Sequence, residues 1–255
     1  MLDTKYLGAI MKTFKNTKFE NIIVVGRGRV ALGIYEIVKN DFENAILYSG
    51  KEGDDHFNSL KNCFIISANN LYVFKPLCVE NNTIINYHNA LLPRHRGLNA
   101  AMWAIYNGDK YTGVCWHLVE SGIDTGDILA CDRIKITDKM DSLELVYKQG
   151  DLAINLFKKL FDDIKNDNVK PIKQKDKGAS YHNKELPNKA KLNLSWKFEK
   201  ISCFLRAFAC CLTTKPKIKL AGDWQEVMDY KISSNSIVIK SKNSSITIKR
   251  NKDGR

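Results

Sequence analysis

The chain has 255 residues, of which 44% are hydrophobic and 27% charged, and its 40 Lys plus Arg outnumber 28 Asp plus Glu for a formal net charge of +12. That balance excludes a wholly disordered, collagenous or fibrous protein, and the length suffices to bury a core without disulfide staples. No apolar run reaches the roughly 18–20 residues of a membrane-spanning helix, so no membrane partner is expected.

Residues 1–20 lack an apolar stretch of signal-peptide length and read as a loose arm, with Met11 as an alternative start. ENIIVV (20–25) reads as a buried strand ending in Gly26. Val30, Ala31, Ile34, Ile37 and Val38 then fall at helical spacing. NAILYS (44–49), NCFIISAN (62–69) and TIINYH (83–88) read as three more strands. LNAAMWAIYNG (98–108) reads as a helix that Gly108 ends. YTGVCWHLVE (111–120) and DILACDRIKI (127–136) have strand character, and residues 142–167 form a long amphipathic helix. Alternating strands and helices predict an α/β, Rossmann-like domain with a mostly parallel sheet. Beyond Pro171 the chain turns polar, then gives a helix over 197–212 and three strand candidates at 217–222, 236–241 and 245–250. These predict a small C-terminal antiparallel β appendage. The expected organisation is an arm over 1–20, a catalytic domain over 21–190 and a C-terminal subdomain over 191–255.

The seven cysteines are odd in number and include no CxxC pair. This predicts buried thiols in a reducing cytoplasm, with no structural metal site. The positive charge is either a solvated lysine surface or a surface that draws anions such as nucleic acid, anionic lipid, nucleotides or folates.

The densest chemistry lies between Asn86 and Asp127. Period-two alternation points Asn86 and His88 to the same side at the end of a strand, where α/β sheets bind their ligands. The loop ESGIDTGDI brings Asp124 and Asp127 among small residues. An Asn, a His and an Asp suit acyl transfer to an amine. The Asn amide donates to the developing oxyanion, the His exchanges protons and the Asp supports the His. Taken singly, each also has an ordinary reading as turn former, packed histidine or loop cap.

Asn86 and His88, then Leu91–Leu92–Pro93, Arg96–Gly97, Thr112–Gly113–Val114 and the run Gly122 to Asp127 follow a pattern in order and spacing. In this the chain resembles the formyltransferases that use N10-formyltetrahydrofolate, with weaker similarity over about residues 22–212. The resemblance implies that Asn86 and His88 bind the oxyanion and shuttle the proton, the oxyanion being stabilised by Asn86 and the His88 imidazolium or by one of them with a bound water. Asp124 would position His88 and help protonate the leaving nitrogen. The formyl donor would lie against Asn70, Tyr72 and Phe74 and under the loop of Gly122, Asp124 and Thr125, with Phe74 as either a contact or a core residue. No metal cofactor is implied.

Within that family the stretch with Trp103 and Trp116–His117 looks like the sugar-nucleotide N-formyltransferases. The implied acceptor is a dTDP-linked 4-amino or 3-amino deoxysugar, destined for surface polysaccharide such as O-antigen. Arg94, His95 and Arg96 would meet a phosphate or the sugar. Arg206 either binds diphosphate or forms a structural ion pair, and Trp103 either stacks on the acceptor or packs in the core. The resemblance implies a cytoplasmic enzyme with folate and a sugar nucleotide as ligands, and no nucleic acid. The tail strands suggest a homodimer. Two alternatives stay open: a methionyl-tRNA formyltransferase-like enzyme, and a dinucleotide-binding oxidoreductase suggested by the turn GRGRVALG (26–33). That turn reads G-x-G-x-x-x-x-G, and no acidic residue ends the second strand.

Overall fold

The computed structural model describes residues 19–211 and 214–250. Nearly all of the arm expected over 1–20, Met11 included, lies outside them. Strand β1 (Asn21–Gly26) is buried along almost its whole length, as a central strand covered on both faces must be. Helix α1 (Gly28–Asp41) buries Ala31, Ile34 and Val38 on one face, three and four residues apart. Then come β2 (Ile46–Tyr48), α2 (Asp54–Ser59), the fully buried β3 (Cys63–Ala68), α3 (Pro76–Asn81), β4 (Thr83–His88) and β5 (Arg96–Gly97). Helix α4 (Ala100–Asn107) ends at Gly108, whose φ of 72° is the left-handed turn that glycine takes most easily. It is followed by β6 (Tyr111–Leu118), β7 (Ile128–Lys135), α5 (Ser142–Lys165), β8 (Tyr181–His182) and β9 (Lys191–Leu192). Helix α6 (Phe198–Ala207) precedes β10 (Lys217–Leu220), β11 (Asp223–Ile232), β12 (Ser236–Ser241) and β13 (Ser245–Lys249).

The fold is the expected α/β class with a C-terminal β sheet. The main sheet has the order β2-β1-β3-β4-β6-β7, with β1 to β4 parallel and β6 antiparallel to β4. Alternation along β1 and β3 divides the core. Ile22, Val24, Phe64 and Ile66 pack with Trp116, Phe157 and Phe161. Ile23, Val25 and Ile65 pack with Phe57, Phe74 and Ile84. Each such buried side chain contributes about 1.5–3 kcal/mol.

Where the sequence reading draws one boundary at residue 190, the contacts group the chain into two interleaved units. Among described residues the first comprises 19–97, 113–134 and 148–181. The second comprises 98–112, 135–147 and the residues from His182 onward. Within the second unit α4 packs on α6, and the sheet runs β13-β12-β11-β10-β9, antiparallel except between β9 and β10. The sequence reading omits β11. Only Val227 along it is buried, and a register shift between Val227 and Asp229 breaks its period.

The expectation of free thiols throughout is corrected at one pair. Cys115 on β6 and Cys131 on β7 form a disulfide, with Cα atoms 4.2 Å apart. The two strands run antiparallel, with Leu118 N donating to Asp127 O at the loop end. The separation suits directly opposed residues at a close position of such a ladder, where Cα atoms stand about 4.5 Å apart. Pairing across two strands is invisible to a rule based on sequence spacing. No helix among the described residues is long and apolar enough to cross a membrane.

Candidate active site

Strand register brings the chemistry together. On β4, Asn86 pairs with Ser67 of β3 on one side and His117 of β6 on the other, and His88 pairs with Cys115. The loop joining β6 to β7 carries Asp124. Its Oδ2 lies 3.4 Å from His88 Nδ1, and its Oδ1 lies 3.3 Å from His117 Nε2. Gly97 N also donates to Oδ2 at 2.7 Å. One carboxylate thus bridges two buried histidines and a backbone amide.

The other ring nitrogens are anchored. His88 Nε2 lies 2.8 Å from the His95 carbonyl, which can only accept, so Nε2 carries the proton and Nδ1 faces Asp124. His117 Nδ1 donates in the same way to the Leu118 carbonyl at 2.7 Å. The Asn86 carboxamide meets His117 Nε2 at 3.1 Å.

Burial alone would raise the Asp124 carboxyl. The His117 hydrogen bond, the pull of both imidazoles in their protonated forms and the Gly97 N–H outweigh it and hold the group down at about 2. Burial lowers His88, and Asp124 restores only part of that loss while His117 lowers it further. Burial thus biases the resting His88 towards its uncharged form.

The loop is built to hold Asp124. Its φ of 54° is left-handed, a region that Asp enters more readily than most residues. A Cβ on Gly126 would stand 2.0 Å from the Leu118 carbonyl oxygen, so the close approach of loop and β6 requires glycine. Gln174 Nε2 donates to the carbonyls of Asp124 at 2.9 Å and Gly126 at 2.7 Å. The sequence reading misses both Gln174 and His117. Gln174 lies in a polar stretch that reads as linker. His117 joins the site only through the β4–β6 register, and its signal is that it faces Asn86 across that ladder.

The other expected contacts are placed as follows. Asn70 is engaged with its own loop, its amide meeting Ser67 Oγ and Tyr72 N and O. Tyr72 and Phe74 pack with Phe57, and Tyr72 Oη donates to Asp54. From that segment Leu71 and Val73 are the exposed side chains, at 88% and 61%. Thr125 packs close to Gly122. Arg94 is exposed. His95 is buried, its carbonyl serving His88 and its N–H donating to Ser180 Oγ. The buried Arg96 guanidinium donates to Gln174 Oε1 and Tyr181 Oη, which makes it a support of the loop. In the second unit Trp103 stacks on His182 at 4.3 Å. Arg206 there donates to the Met140 carbonyl and Ser202 Oγ. In the turn after β1, Arg27 donates to Ser49 O and Arg29 pairs with Asp151. Among the described residues no cluster of three or more His, Cys, Asp or Glu side chains is placed to hold a metal ion.

Residues 55–155 match the family model described as formyl transferase. Among curated proteins, the methionyl-tRNA formyltransferase of Clostridium tetani is 34% identical over 122 residues, 48% of this chain and 39% of that protein. That of Nitratiruptor is 42% identical over 97 residues, 38% of this chain and 32% of that protein. The chain thus spans well under half the length of these relatives. Among solved structures, an N-formyltransferase from Helicobacter canadensis, in complex with folinic acid and dTDP-3-aminofucose, matches with a TM-score of 0.71 at 17% identity. The match covers 90% of this chain and 98% of that one. A 4-N formyltransferase from Francisella tularensis matches with a TM-score of 0.65 at 19% identity, over 80% and 94%. At these identities the structures show a shared fold.

Proposed function

We propose that the chain transfers a formyl group from N10-formyltetrahydrofolate to the amine of a nucleotide-linked amino-deoxysugar, with a dTDP-4-amino-4,6-dideoxy sugar as first candidate and the 3-amino isomer as second. The observation that carries the transfer is the Asn86, His88 and Asp124 arrangement within a formyl transferase segment. The sugar acceptor is supported by near-complete coverage of the Helicobacter canadensis protein, against partial coverage of the methionyl-tRNA enzymes.

The folate supplies an activated formyl carbon to an attacking neutral amine. The exposed Leu71, Val73 and Ile123 side chains suit the apolar face of its ring system. The Asn86 N–H2 donates to the formyl oxygen as negative charge develops there. Uncharged His88 takes up the amine proton on Nδ1, the nitrogen free of the His95 carbonyl. Asp124, held ionised, stabilises the imidazolium so formed and helps it return the proton to the folate nitrogen as the bond from that nitrogen to the formyl carbon breaks.

Mass spectrometry after incubation with N10-formyltetrahydrofolate and separate panels of dTDP-amino sugars and charged initiator tRNA tests this. A formyl group gained by a dTDP-amino sugar is the expected result. Formylation of the tRNA alone overturns the acceptor and supports the second reading, which rests on the 34–42% identity of the methionyl-tRNA formyltransferases. We propose also a homodimer formed through the C-terminal sheet, where Trp224 and Met228 of β11 are 44% and 51% exposed. A monomeric mass by light scattering at micromolar concentration counts against it.

A further inference from the structure

His117 stands where three groups of the site meet, and it is only 2% exposed. Its Nδ1 faces the Leu118 carbonyl at 2.7 Å, and a carbonyl accepts, so Nδ1 carries a proton. Its Nε2 faces Asp124 Oδ1 at 3.3 Å in the hydrogen bond that helps hold the Asp124 carboxyl down, and a carboxylate accepts, so Nε2 carries one as well. The same Nε2 lies 3.1 Å from the Asn86 carboxamide nitrogen, which only donates. Two donors turned towards each other in a buried site waste both bonds. The carboxamide oxygen and nitrogen have nearly the same shape, and the hydrogen-bond network decides which is which. Exchanging them turns the contact into N–H···O. The remaining titratable neighbour, His88, has its ring centre 6.4 Å from that of His117 and keeps its Nε2 proton on the His95 carbonyl. It therefore does not compete for Asn86.

We propose that His117 is a positioning residue: its Nε2–H binds the Asn86 carboxamide oxygen together with Asp124 Oδ1, and so leaves the Asn86 N–H2 unspent for the oxyanion. This rests on formyl transfer as the reaction. Without His117 the carboxamide loses the partner that sets its direction, and half of its orientations present an oxygen to the developing negative charge.

The test combines variants with a substrate-free measurement. His117→Leu lowers kcat by about 10–100-fold, the usual loss for a partner that orients a functional group, with KM for both substrates within about twofold. His117→Gln, which keeps a side-chain N–H2 near the Nε2 position, recovers part of kcat. In an Asn86→Ala background His117→Leu adds little further loss, because it acts through Asn86. An undiminished loss in that background overturns the proposal, as does full turnover in His117→Leu. Thermal melting identifies a variant that has merely lost its fold. Nitrogen-15 NMR of the wild-type protein with labelled histidine reads both His117 nitrogens without any substrate. Two protonated nitrogens are expected, and a bare Nε2 overturns the proposal whichever acceptor the protein uses. The expected NMR signature with no turnover on any acceptor refutes the formyl-transfer reading and leaves the orientation standing.

Discussion

Gln174 holds Asp124 by its main chain, donating from Nε2 to the Asp124 carbonyl at 2.9 Å and to the Gly126 carbonyl at 2.7 Å. Its own Oε1 accepts from Arg96 Nη2 at 2.7 Å, and Arg96 Nη1 donates to Tyr181 Oη at 2.6 Å. The carboxylate that bridges two histidines is thus aimed by a relay of neutral and cationic donors behind it. Gln174→Leu strands two carbonyls and a buried guanidinium, at a cost of about 1–3 kcal/mol in urea unfolding. We expect kcat to fall with the stability, and an unchanged kcat removes the relay from the account of the site.

In the proposed transfer the three central side chains carry different parts of the reaction. His88→Ala and Asp124→Ala each lower turnover by at least ~10²-fold, the scale of general acid–base catalysis. Asn86→Ala costs about 10²–10³-fold, as removal of an oxyanion donor does. Steady-state kinetics on purified variants with unaltered melting profiles decides, and near-normal turnover removes that residue from the mechanism.

Burial lowers His88 from the ordinary 6.5, so the acid limb of kcat/KM falls below that value. The same depression links folding to pH. The unfolded chain takes up a proton that the fold refuses, so this contribution is complete above 6.5 and is lost as pH falls below it. Asp124 adds a lower window, since its carboxyl drops from 3.8 to about 2 on folding. That contribution is present above 3.8 and is lost as pH falls towards 2. In melts across this range His88→Gln flattens the upper part of the stability profile and Asp124→Asn the lower part. Parallel profiles for all three proteins contradict both assignments.

The Cys115–Cys131 disulfide closes a sequence separation of 16 residues across β6 and β7. A loop of about 15 residues is worth ~3 kcal/mol in restricted unfolded chain. Chemical denaturation of the oxidised protein and of Cys131→Ser should differ by about that amount. Alkylation before and after reduction, read by mass, should protect these two cysteines and no other pair. Equal labelling in both states refutes the bond.

Much of this fold is legible because its signals are local. The apolar runs of β1 and β3 and the three-and-four spacing of α1 are properties of short segments, and the structure has them within a residue or two of the expected bounds. The nearness of Asn86 and His88 is equally local, because a strand repeats every two residues. Asp124 is brought to them by a loop whose glycines mark it in the sequence. His117, Gln174 and the disulfide need the pairing of β4 with β6 and β6 with β7, which no window of sequence contains. The antiparallel turn of β6 has the same cause, since alternation of elements suggests a sheet but not the direction of each strand. Strand β11 is lost for another reason, its single buried position giving no alternation and its period being broken by an irregularity.

His95, Asn99 and Asp124 share left-handed backbone, with φ of 58°, 60° and 54°. Asn, Asp and His enter that region more readily than other residues with a side chain. Position 124 is therefore selected twice, by the charge it presents and by the torsion its peptide must hold. Glutamate keeps the charge and strains the turn, glycine keeps the turn and deletes the charge, and asparagine keeps the turn with a neutral group. The site's alphabet is narrowed by geometry before chemistry has a say.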